Sequence, residues 1–169
     1  MTKTSKQQRA TSGQQQVTTN QPMPPNPHPL AVHFPIALLM ASVFFEIVAY
    51  WGRKEVFEKV AKWNLALGVL AGIVAVVSGL LAEESVPQFP VIHETVERHE
   101  TLAFVTLGVF AVLFLWRFLK DGKFFEQWRT FYIALAIIGI LILGATAYYG
   151  GELVYKFGVG VPSHPWWQQ

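Results

Sequence analysis

Four long apolar runs dominate the chain, at residues 30–51, 64–82, 101–119 and 131–149. Each is close to the roughly 20 residues an α-helix needs to cross about 30 Å of hydrocarbon. The last three carry no charge until their edges. None alternates with the two-residue period of a barrel strand, and none shows the polar face of a helix in a soluble bundle. Backbone N–H and C=O groups cannot stay unpaired in lipid, so runs of this length must be helical. The pattern predicts an all-α membrane protein: a four-transmembrane-helix bundle.

Outside these runs the chain turns polar. Residues 1–27 are rich in Gln, Thr, Ser, Asn and Pro, with too few apolar side chains to offset the entropy of ordering, and predict a disordered N-terminal tail. No apolar segment of a cleavable signal follows Lys3, Lys6 and Arg9 before the run beginning at Leu30, so that run is expected to act as the membrane signal. The organisation expected is a tail at 1–27, a membrane domain at 28–161 and a short C-terminal tail at 162–169.

The charges between the runs predict an orientation. Arg53, Lys54, Lys59 and Lys62 follow the first run; the segment from Arg117, at the end of the third run, to Arg129, before the fourth, holds Arg117, Lys120, Lys123 and Arg129. Basic connections stay in the cytoplasm. The connection between the second and third runs holds Arg98 against Glu83, Glu84, Glu94, Glu97 and Glu100, which suits the outer face, and both termini are then outside. Tyr50, Trp51, Trp63, Trp116, Trp128, Tyr148 and Tyr149 fall near run ends, where an interfacial aromatic belt belongs.

Composition narrows the chemistry. At 52% hydrophobic and 14% charged, the chain is too apolar for an ordinary soluble protein of 169 residues. A formal charge of +2, with scattered basic residues, argues against a nucleic-acid partner. The absence of cysteine excludes disulfides, thiolate metal sites and cysteine-held iron–sulfur clusters. No serine or threonine beside a base, and no apolar pocket holding a carboxylate pair, suggests a hydrolase. The balance is against an enzyme.

The histidines are the most informative residues. In the predicted topology His28, His33, His93 and His99 gather near the outer ends of the first and third helices, and His164 lies in the outer tail. Imidazole ligates haem iron, copper or zinc, and two histidines from facing helices at equal depth can clamp a haem axially. His33, one turn into the first run, and His99, opening the third, are the expected cofactor-binding pair. His28, His33, His93 and His99 are the candidate metal ligands. Helix-end histidines equally well bond water, headgroups or carbonyls, and no zinc-type spacing is present. His28 and His33 lie about 140° apart if both are helical, so a shared metal would need an irregular turn, for which Pro29 and Pro35 provide.

Glu46 is the one carboxylate well inside a run. It has either a partner in the bundle or a route to the cytoplasmic interface near Lys62. It is about 20 Å along the helix from His33, too far for one compact site. Gly68, Gly72 and Gly79, with Ala75, form a small-residue stripe that lets a neighbouring helix, or a flat porphyrin, approach closely. Gly139 and Gly144 are candidates for the same part in the fourth helix. The Gly150-Gly151 pair suggests a helix C-cap followed by an extended segment on the outer surface.

Three motifs together resemble a known family: His28-Pro29-Leu30-Ala31-Val32-His33-Phe34-Pro35-Ile36-Ala37, His99-Glu100, and Gly150-Gly151-x-Leu153-Val154-Tyr155-x-x-Gly158-Val159-Gly160-Val161. They are similar to the bacterial membrane family known as domain of unknown function 2231, over about residues 27–161. The resemblance implies a four-helix domain of the bacterial inner membrane, of unassigned role and sometimes found beside redox proteins. Family members often carry histidine where this chain has Phe157, which leaves His28, His33 and His99 as the ligands the motifs offer.

The expectation is therefore an integral membrane protein of unassigned role, with a small b-type-haem or redox-associated component as the leading reading. A non-catalytic membrane subunit or scaffold, and a periplasmic metal-handling protein, are the alternatives. The expected partners are the lipid bilayer and a redox protein or larger membrane complex.

Overall fold

The computed structural model describes residues 28–52, 54–83, 86, 89–120 and 122–160. The tails expected at 1–27 and 162–169, with His164, lie outside the described residues. The elements are α1 (His28–Ala31), α2 (His33–Gly52), α3 (Glu55–Glu83), α4 (Pro90–Leu119) and α5 (Lys123–Tyr155). Since α1 runs on into α2 as one span, His28–Gly52, four helical spans among the described residues are long and apolar enough to cross a membrane.

The break at Val32 has a local cause. Pro35 has no N–H to offer the carbonyl of Ala31, four residues back, and its ring crowds that carbonyl. The bonds on either side persist, from the Val32 N–H to the His28 carbonyl (3.1 Å) and from the Ile36 N–H to the Val32 carbonyl (3.4 Å). The helical path is kept, and His28 becomes its first residue.

All of the helices after α2 begin or end beyond the apolar runs. An apolar run reports the thickness of hydrocarbon, whereas a helix continues through charged turns made of good helix formers. Thus α3 starts nine residues before Asn64, at Glu55, and α4 starts at Pro90 instead of Thr101. The extra turns of α4 carry an Arg98–Glu94 ion pair (2.7 Å) and a His93–Glu97 contact (3.5 Å), both at helical i,i+4 spacing. His93, which precedes the apolar run at 101–119, is on this helix. The extended segment expected after Gly150-Gly151 is also corrected: α5 passes through both glycines to Tyr155. The chain turns only at Gly158, whose φ of 67° is left-handed, and the Val159 N–H donates back to the Leu153 carbonyl (2.9 Å). Phe157 and Val159 then pack on Ile92, Val96 and Leu153, a small apolar cluster.

The spans pair as two antiparallel hairpins. The first and second spans pack along much of their length, as do the third and fourth; the hairpins meet through the second and third spans and through the first and fourth. The core between them centres on Leu39, Leu65, Phe110, Leu113 and Phe125. Side chains such as Phe44, Leu70, Val112 and Leu141 project outward, giving the apolar exterior that lipid solvates. Gly122, with φ 74°, makes the turn between the last two spans, where an L side chain would be strained.

Candidate functional site

The two ends of the bundle carry different chemistry, and each set of residues comes from both hairpins. At one end, His28 on α1 and His99 on α4 bring their rings to 6.3 Å between centroids, nearly perpendicular at 86°. Each ring is oriented by its own hairpin. The His28 Nδ1 is 3.1 Å from the Ala75 carbonyl and 3.0 Å from the Ser78 hydroxyl, itself bonded to the Ala75 carbonyl. The His99 Nδ1 is 2.9 Å from the Thr146 carbonyl. A carbonyl only accepts, so in each neutral ring Nδ1 carries the hydrogen and Nε2 the lone pair. Both bonds reach across 47 positions of sequence.

Glycines make room for the rings. A Cβ added to Gly79 would come within 3.0 Å of the His28 ring, and one added to Gly150 within 3.0 Å of the His99 ring. Below His99, the Thr106 and Thr146 hydroxyls bond to each other (3.1 Å), and that of Thr146 also donates to the Ile142 carbonyl (2.9 Å).

The ring beside His99 is thus that of His28, where the sequence pointed to His33. His33 is exposed, with its Nδ1 2.6 Å from the Pro29 carbonyl of its own helix. The difference follows from the helix start. The apolar run begins at Leu30, which makes His33 look the deeper residue, but the helix begins at His28, and residues five apart face different ways. His93 is exposed on the outer turns of α4. Among the described residues, no group of three or more His, Asp or Glu side chains could hold a metal ion, so the four histidines named as metal ligands do not assemble into one site.

At the other end, Glu46 is only 3% exposed and lies between two arginines. The Arg129 Nε donates to its carboxylate (2.9 Å), and the Arg117 Nε lies 3.9 Å away. Glu58 closes the cluster, accepting from the Arg129 Nη1 (2.9 Å) and lying 3.7 Å from the Arg117 Nη2. Glu126 adds a contact with Arg129 at 3.1 Å. The Arg117 guanidinium stacks over the Phe125 ring at 4.1 Å. Burying charges is costly unless they are paired; here each arginine faces Glu46 and Glu58, with hydrogen bonds from Arg129, while the Arg117 Nε and Arg129 Nη2 are buried without a hydrogen bond among the described residues. Of the two routes open to Glu46, the structure gives it partners inside the bundle. Those partners went unrecognised in the sequence because Arg117 and Arg129 read as loop charges.

The glycine stripe of α3 faces its neighbours. A Cβ on Gly68 would lie 2.6 Å from the Leu39 side chain and 3.3 Å from its backbone nitrogen, and one on Gly72 would lie 3.2 Å from Leu107. Gly139 does for Phe110 what Gly68 does for Leu39, at 3.1 Å, whereas Gly144 has open space beside it.

The fold and these two clusters define a class: a four-span α-helical membrane protein made of two hairpins, with a histidine pair at one end and a buried ionic cluster at the other. The family model described as predicted membrane protein (DUF2231) matches residues 25–163, and the chain belongs to that family. No curated protein and no solved structure matches the chain.

Proposed function

We propose that this protein is a small cofactor-carrying component of a bacterial inner membrane, in which His28 and His99 would hold a b-type haem near the outer surface. The observation that carries this reading is the histidine pair: two rings from different hairpins, 6.3 Å apart, each oriented by a carbonyl at Nδ1. Two imidazoles this close would together offer a metal two nitrogen donors, one from each hairpin. The carbonyl bonds are of the kind that fixes a ligating imidazole's tautomer and orientation. With two histidines and no group of three ligands among the described residues, haem iron is favoured over a bare zinc or copper ion, because a porphyrin would provide the other nitrogens.

The test is an optical spectrum of the full chain purified in detergent from haem-replete cells. A Soret band and a reducible α-band are expected, lost in both His28→Ala and His99→Ala and kept in His33→Ala. A colourless preparation overturns the reading. The same carbonyl bonds, each within one hairpin, favour a second one: the histidines pin the helices of a non-catalytic subunit. In that case the protein is colourless and His28→Ala lowers its melting temperature.

The charges support placing the histidine end outside. Arg117 and Arg129 are neutralised within the bundle, yet Arg53, Lys54, Lys59, Lys62, Lys120 and Lys123 still mark the ionic end as the cytoplasmic one. The chain has no cysteine, so single introduced cysteines report cleanly. Glu94→Cys should react with an impermeant reagent on intact cells and Lys120→Cys should not; the reverse result inverts the orientation.

A further inference from the structure

The contacts of the first hairpin recur in the second at a constant offset. From His28 to His99 is a step of 71 positions, and the same step relates Ala75 to Thr146 and Gly79 to Gly150, the residues each ring touches. It relates Leu39 to Phe110 and Gly68 to Gly139, so the close contact of Leu39 on Gly68 reappears as Phe110 on Gly139. What repeats is the contact, even where the residue has changed. Buried Ala61 and Leu65 have buried counterparts in Tyr132 and Ala136. Each residue and its counterpart lie two spans apart, on the first and third or the second and fourth, so both copies cross the membrane in the same direction, as in a parallel repeat.

The ionic cluster obeys the same step with one change: Glu46 corresponds to Arg117, and Glu58 to Arg129. Corresponding positions meet across the centre of the bundle, His28 against His99 and Glu46 against Arg117. Two identical hairpins related by a two-fold axis would set glutamate against glutamate there, and buried like charges repel strongly. With acid on one copy and base on the other, every unlike pairing is attractive and every like pairing repulsive, the usual way an interface selects one partner against another.

We propose that the chain is a tandem duplication of one helical hairpin whose copies have exchanged charge, and that Glu46, Glu58, Arg117 and Arg129 are the recognition surface by which each hairpin selects the opposite copy over its own kind in a second chain. The surface accepts one partner, a hairpin of this fold with opposite charge at the two corresponding positions. This does not depend on any ligand at the histidine end.

Full-length charge-exchange variants test it. E46R/E58R makes both hairpins basic, and R117E/R129E makes both acidic; each alone should lose the parent's elution peak in size-exclusion chromatography. The fourfold variant E46R/E58R/R117E/R129E restores complementarity with the signs reversed and should regain that peak. Co-expression of the two double variants, with different tags, should give a one-to-one complex in which hairpins pair between chains. The proposal is overturned if both double variants keep the parent's elution and melting temperature, if the fourfold variant behaves no better than they do, or if co-expression gives no mixed complex.

Discussion

The histidine end and the ionic end obey opposite rules. At the histidine end the two hairpins present the same residues at corresponding positions, His28 with His99 and Gly79 with Gly150, and each ring is held by a carbonyl of its own hairpin. At the ionic end two corresponding pairs have opposite charge, Glu46 with Arg117 and Glu58 with Arg129, and the bonds from Arg129 to Glu46 and Glu58 run between hairpins. A contact made within a hairpin can be copied unchanged, because it brings its own partner with it. A contact across the centre between identical charges cannot. Two neutral imidazoles can face each other, and a ligand lying between the hairpins would want the same donor from both.

The contrast predicts a ranking of sensitivities. The largest effect belongs to Glu46→Ala, which leaves Arg129 and Arg117 buried beside a lost counter-charge; removing one member of a buried pair costs about 3–5 kcal/mol. Thermal unfolding in detergent should show a large fall in midpoint. If Glu46→Ala melts like the parent, the ionic end does not hold the hairpins together. Breaking the exposed Arg98–Glu94 pair, by contrast, should barely move the midpoint, because solvent screens both charges, so Glu94→Ala is the matching control.

Smaller effects are expected inside the hairpins. Gly68→Ala forces a methyl to within 2.6 Å of the Leu39 side chain and 3.3 Å of its backbone, which overpacking estimates put at about 1–3 kcal/mol. Gly139→Ala meets the Phe110 ring at 3.1 Å and should cost less. Measured side by side, the two sharpen the comparison between hairpins: both should lower the melting temperature, Gly68→Ala by more. Equal stability to the parent in both would mean that the corresponding glycines are not close-approach positions.

Much of the protein was legible in its sequence. Four spans follow from apolar runs about as long as a bilayer is thick, and no tertiary contact is needed to deduce them, because lipid leaves the backbone no other way to satisfy its hydrogen bonds. The family was legible in the histidine and C-terminal motifs, and the stripe of Gly68, Gly72 and Gly79 was visible as a surface for close approach. The repeat was not. Along the 71-residue step, identical residues are few: His28 and His99, Glu55 and Glu126, Gly68 and Gly139, Leu70 and Leu141, Gly79 and Gly150. A self-comparison at that step is the signal that finds it, and only the recurring contacts give it meaning.

Tertiary structure decided the partners. Whether His28 or His33 faces His99 depends on where the first helix starts and how it passes Pro35, a matter of rotation about an axis that an apolar run does not specify. Arg117 and Arg129 looked like loop charges because they sit at run edges, yet packing of the two hairpins buries them against Glu46. Sequence fixes which segments enter the membrane, since that is set by transfer of each segment from water to lipid. Which side chains then meet is set by helix rotation and pairing, and those are properties of the assembled bundle.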